Sequence, residues 1–73
     1  MKAYYVKYRM HRGAEVQGID FLAKSKADAY DKAVYEIIPS KNGGEMPYSA
    51  WVYSVTYNNG KHHIFNTCEG DAY

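Results

Sequence analysis

Cysteine is almost missing from this chain: Cys68 is the single thiol in 73 residues. An intramolecular disulfide cannot form, which excludes the disulfide-stapled secreted scaffolds and makes a reducing, cytoplasmic setting the expectation. Long apolar runs are missing as well. The opening Met1-Lys2-Ala3-Tyr4-Tyr5 turns polar again at Lys7 and Arg9. No stretch approaches the roughly 7–15 residues of a secretion-signal core or the ~20 of a membrane span, so no membrane is expected as a partner. Nor does one sign of charge dominate, since nine Lys and Arg stand against eight Asp and Glu for a net charge of +1. Non-specific nucleic-acid affinity comes chiefly from clustered cations that neutralise phosphates, so a general DNA binder is not expected.

What is abundant is tyrosine, with nine residues, inside a composition that is 47% hydrophobic and 16% aromatic. A tyrosine brings apolar area and a polar tip, so one residue type can serve both a core and an adhesive surface. The apolar content is enough for one compact core and too high for a disordered segment. At this length a single domain is expected, burying only about 60% of the surface its unfolded chain exposes.

Residues 3–10 (AYYVKYRM) alternate, with Tyr4, Val6, Tyr8 and Met10 on one side and Tyr5, Lys7 and Arg9 on the other, the period of a half-buried strand. Arg12-Gly13 reads as a turn into a second strand over about 15–23, and this predicts Val6 opposite Ile19 and Tyr4 opposite Phe21. Ser25 is placed to cap a helix, with Asp28 three residues on favouring the positive end of the dipole. Ala27, Tyr30, Ala33, Val34, Ile37 and Ile38 recur at helical spacing, and Pro39 is expected to end the helix. Tyr35 falls off that stripe. Residues 40–47 (SKNGGEMP) form a connecting loop.

Residues 50–57 (AWVYSVTY) are rich in β-branched and aromatic types, and Asn59-Gly60 is the favoured pair for a two-residue type I′ turn, so a second hairpin returns over 61–67. That turn predicts Tyr57 across from His62, Val55 from Ile64, Tyr53 from Asn66 and Trp51 from Cys68 on one face. Thr56/His63, Ser54/Phe65 and Val52/Thr67 would then share the other.

The expected fold is α+β with the order ββαββ: a four-stranded antiparallel sheet made of two hairpins, with one helix packed on one face. Residues 1–68 form the domain and 69–73 a loose tail. The helix would cover Tyr4, Val6, Tyr8, Ile19, Phe21, Trp51, Tyr53, Val55 and Ile64. Tyr5, Lys7, Arg9, Leu22, Val52, Thr56, His63 and Phe65 would face outward.

That outer set is more apolar and aromatic than a purely solvated surface requires, although single exposed apolar residues on a sheet are ordinary. The partner-binding candidates are Tyr5, Lys7, Arg9, Leu22, Val52, His63 and Phe65. A protein partner or a second copy is the leading expectation. The alternative is a nucleic-acid-binding module that stacks bases on Tyr5 and Phe65 beside Lys7, Arg9 and His63. No ribonucleoprotein-type motif accompanies it. Compact chains of this kind are common among accessory and inhibitor proteins of phages and mobile elements, an association with size and fold alone.

Catalytic, cofactor and metal chemistry find no foothold in the residue pattern. His62 and His63 are strand neighbours and point to opposite faces, and His11 and Cys68 add no ligand spacing. His62 and Cys68 would lie about 20 Å apart along one extended strand, out of reach as base and nucleophile. Gly43-Gly44 lacks the Lys-Ser/Thr of a phosphate loop. Asp28, Asp31 and Glu36 read as a solvated helix face, with no second acidic cluster to complete a pair. A non-enzymatic protein with no cofactor is therefore expected.

Overall fold

A computed structural model of the protein describes residues 1–65. Strands β1 (Lys2–Arg9) and β2 (Gln17–Ala23) precede a helical rod of 16 residues, and β3 (Ser49–Thr56) and β4 (His62–Ile64) follow it. The four strands form one open antiparallel sheet in the order β2-β1-β3-β4, so the fold is the expected ββαββ. The expected pairings of Asn66, Thr67 and Cys68, and the tail from Glu69, lie outside the described residues.

The first hairpin follows its sequence pattern. Tyr4 faces Phe21 and Val6 faces Ile19, in an uninterrupted register from Lys2/Ala23 to Tyr8/Gln17. The tight bend lies within a longer connection, where Ala14 N–H donates to the His11 carbonyl at 3.0 Å and Gly13 takes φ +80°. A positive φ at the third turn position suits glycine.

The rod is capped as expected: Ser25 Oγ accepts from Asp28 N–H at 3.1 Å. Asp28 Oδ2 in turn accepts from Lys24 N–H at 3.0 Å, so two amides at the helix start are satisfied. Pro39, however, does not end the helix. Helix α1 (Lys26–Lys32) passes into a π-helical turn (Ala33–Ile37) and then into α2 (Ile38–Lys41), which carries Pro39 in its first turn. Proline lacks an N–H and its ring collides with the carbonyl four residues back in an α-helix. The wider π turn just ahead of Pro39 changes that local geometry and lets the rod continue. It stops at Asn42, whose Nδ2 donates to the Ile38 carbonyl at 2.8 Å.

The π turn also alters which face is buried. Ala29, Ala33, Val34 and Ile38 enter the core, Ile37 and Tyr30 are half-buried, and Ala27 is exposed. The amide of Ile38 bonds the Ala33 carbonyl, five residues back, which brings these two onto one line. These residues pack on Tyr4, Val6, Tyr8, Ala23, Ala50, Val52 and Val55, with Ile19, Phe21, Tyr30 and Phe65 at the margin.

The second hairpin departs from its predicted register. Tyr57 N–H bonds the Lys61 carbonyl and Gly60 N–H bonds the Tyr57 carbonyl, at 2.8 and 2.9 Å, so three residues form the loop. Among the described residues no residue other than glycine has positive φ, whereas a type I′ turn needs it at both central positions. Gly60 alone supplies it, at +87°. Thr56 therefore faces His62, Val55 faces His63 and Ser54 faces Ile64. A slip of one residue moves every β4 side chain to the other face.

A second irregularity lies between β1 and β3. Tyr5 pairs with Ser54 but Val6 pairs with Val52, leaving Tyr53 as an inserted bulge residue. Upstream of it the alternation is reversed: Val52 and Ala50 enter the core, while Trp51 lies opposite Lys7 on the other side.

Candidate functional site

The face away from the helix is built by β1 in the middle. Its odd positions Ala3, Tyr5, Lys7 and Arg9 point there because Tyr4, Val6 and Tyr8 are buried on the opposite side. β2 contributes Gly18, Asp20 and Leu22, opposite Lys7, Tyr5 and Ala3. β3 contributes Trp51, Ser54 and Thr56, and β4 contributes Ile64 and His62.

Of the seven sequence-derived candidates, Tyr5, Lys7, Arg9 and Leu22 share this face. Val52, His63 and Phe65 do not. Val52 is fully buried opposite Val6, a consequence of the bulge at Tyr53. His63 and Phe65 turn to the helix side with the shifted β4. Phe65 stacks on Tyr4 at 6.4 Å and lies 4.5 Å from Lys26 Nζ of the helix, and His63 packs edge-on against Phe65 at 5.0 Å.

In their place the structure puts Trp51, Tyr53 and Ile64 on this face, Trp51 buried there. Residues 51–55 (WVYSV) are apolar at both parities, so no alternation in the sequence could reveal the bulge. The one available signal was the Asn58-Asn59-Gly60 run, which suits a three-residue loop with glycine last as well as a two-residue turn.

The centre of the face is an aromatic cluster. Tyr5 meets Tyr53 edge-to-face with centroids 5.9 Å apart, and Lys7 Nζ sits 3.9 Å from the Tyr53 ring centre. The Tyr5 phenol extends over Gly18, where a Cβ would overlap its hydroxyl. Leu22, Tyr5 and Ile64 are 59%, 36% and 46% exposed, so an apolar band crosses all four strands. Trp51 is buried, and its Nε1–H has no hydrogen-bond partner among the described residues. Arg9 donates to the Ala14 carbonyl and is thereby turned toward the first connection.

Away from the band the polar groups are dispersed. His62 Nδ1 lies 3.1 Å from Thr56 Oγ1, and His11 pairs with Glu45 at 3.5 Å between two exposed loops. Among the described residues no three His, Cys, Asp or Glu side chains gather as metal ligands, and no helix is long and apolar enough to cross a membrane. Comparison with protein-family models, curated proteins and solved structures found no match to this chain.

Proposed function

We propose that this chain is a small non-enzymatic interaction domain that contacts a protein partner, or a second copy of itself, through the open side of its sheet. The observation that carries this reading is the band of Leu22, Tyr5, Tyr53 and Ile64 on the side opposite the helix, with its ends on both outermost strands. A lone helix covers one side of a sheet, and apolar area left on the other gains free energy when a second surface removes it from water. Tyr5 and Tyr53 are held against each other and Lys7 packs on the Tyr53 ring, so little side-chain freedom remains to be lost on binding.

The alternative of base stacking on Tyr5 and Phe65 loses support, because these rings lie on opposite faces and His63 accompanies Phe65. Lys7, on the same face as Tyr5, is engaged with the Tyr53 ring.

The test is solution size by sedimentation, and binding to any isolated partner, for wild type and for Leu22→Asp combined with Ile64→Asp. Both positions are exposed, so the fold persists while association falls by tenfold or more, about 1.4 kcal/mol. Unchanged size and unchanged partner binding in the double variant overturn the reading.

A further inference from the structure

Strand β2 is the longer outermost strand, and among the described residues no other strand pairs with its outer side. Sheet edges are ordinarily blunted by brevity, proline, charged side chains, a bulge or a cover. β4 at the opposite edge has three residues. β2 has seven residues, contains no proline, carries Asp20 as its one charge with Lys24 directly after it, and pairs with β1 without any shift of register.

Its side chains are also incompletely covered. Ile19 and Phe21 face the helix side yet stay half-exposed at the margin of the core, and Leu22 is exposed on the other side. Tyr5 fills the space over Gly18, which supports the strand at the one position with no side chain of its own. Glu15 and Asp20 are the only charges between residues 15 and 23, and Asp20 has no ion-pair partner among the described residues.

We propose that β2 accepts an extended segment of a partner protein as a fifth strand, one that alternates apolar residues with lysine or arginine. Its main chain would complete the β2 ladder. Its apolar residues would cover Ile19 and Phe21 on the helix side, and its basic residues would meet Asp20 on the Tyr5 side. This rests on the interaction-domain reading and specifies the edge and the chemistry of the occupant.

The test uses the full chain and three synthetic nine-residue peptides, followed by backbone amide chemical shifts. One peptide alternates valine with lysine, the second alternates valine with glutamate, and the third is the lysine peptide N-methylated at every amide. The lysine peptide should shift the amides of Gln17–Ala23 saturably and leave His62–Ile64 unmoved. The glutamate peptide should bind at least about fivefold more weakly, and Asp20→Lys should reverse that order. Methylation should abolish binding.

No β2 shifts with the lysine peptide, equal binding of the two charges, retained binding after methylation, or pairing of two copies along β2 would each overturn the proposal. If the Leu22→Asp/Ile64→Asp variant loses association while the peptides leave β2 untouched, the interaction domain stands and the edge assignment falls. If the peptides behave as expected while that variant associates normally, the edge is the binding surface and the open face is not.

Discussion

The Tyr5 phenol lies where a side chain at Gly18 would sit, so the glycine in an otherwise regular edge strand is matched by a ring from its neighbour. Gly18→Ala must displace that ring and with it the edge-to-face contact to Tyr53, at about 0.5–1.5 kcal/mol. In a Tyr5→Ala background the three atoms nearest that Cβ are gone, and reducing the freedom of the unfolded chain should make the same change stabilising by about 0.5–1 kcal/mol. The sign of the Gly18→Ala effect therefore reverses between backgrounds in a urea-denaturation cycle. Additive effects would show that the ring and the glycine are energetically independent.

The helix start carries a pH signature. The Lys24 backbone N–H donated to Asp28, assisted by Lys32 Nζ at 3.7 Å, holds the Asp28 carboxyl below its ordinary value of 3.8. A carboxyl depressed in the folded state contributes stability that is present above 3.8 and is lost as pH falls through the lower, folded value. Asp28→Asn should lower stability at pH 7, where the carboxylate holds the Lys24 amide, Lys32 and the helix dipole, and should make little difference at pH 2.5, so this part of the profile flattens. Ser25→Ala should instead cost about 1 kcal/mol across the whole range, because the cap it removes is uncharged. Melting temperatures from pH 2.5 to 7 separate the two behaviours.

The π turn makes a prediction that helical periodicity alone would miss. Ile37 and Ile38 both fall on the apolar stripe of the sequence, yet Ile38 is fully buried and Ile37 is not. Ile38→Ala should therefore cost about 2–5 kcal/mol, the range for emptying a packed core site. Ile37→Ala should cost about 1 kcal/mol. Equal losses in guanidinium denaturation would argue against the five-residue bond between Ala33 and Ile38.

Elements were legible from the chain where one local signal stood unopposed. The parity of β1, the Ser25 cap and the pairing of Tyr4 with Phe21 each depend on a single pattern, and each is present. The faces of β3 and β4 depended on two choices that leave no mark in composition. One is the bulge at Tyr53, in a run apolar at both parities. The other is a loop one residue longer than the Asn-Gly pair suggests. Together they exchange Val52, His63 and Phe65 for Trp51, Tyr53 and Ile64 on the open face, so four of the seven candidate residues were legible there and three were not. Pro39 misled for a related reason: the rule that proline ends a helix assumes α geometry in the turn before it.

The β3–β4 loop tests this account of register directly. Tyr57 and Lys61 already bond across Asn58, Asn59 and Gly60, and only Gly60 has positive φ. Gly60→Ala forces a Cβ into that left-handed conformation and should cost about 1–2 kcal/mol. Deleting Asn58 leaves Asn59-Gly60 as a two-residue turn between the same flanking pair, with a sequence that favours type I′. The deletion should therefore keep Thr56 opposite His62 and Ser54 opposite Ile64, with a change in stability under about 1 kcal/mol. Cross-strand proton contacts report the pairing. If they moved to Tyr57/His62 and Val55/Ile64, a three-residue loop would have re-formed in place of the Asn-Gly turn, and the pairing of Tyr57 with Lys61 would not be what sets the register. If they remain, the shortened turn favours the same pairing as the stacking of Phe65 on Tyr4 and the bond from Phe65 N–H to the Tyr53 carbonyl.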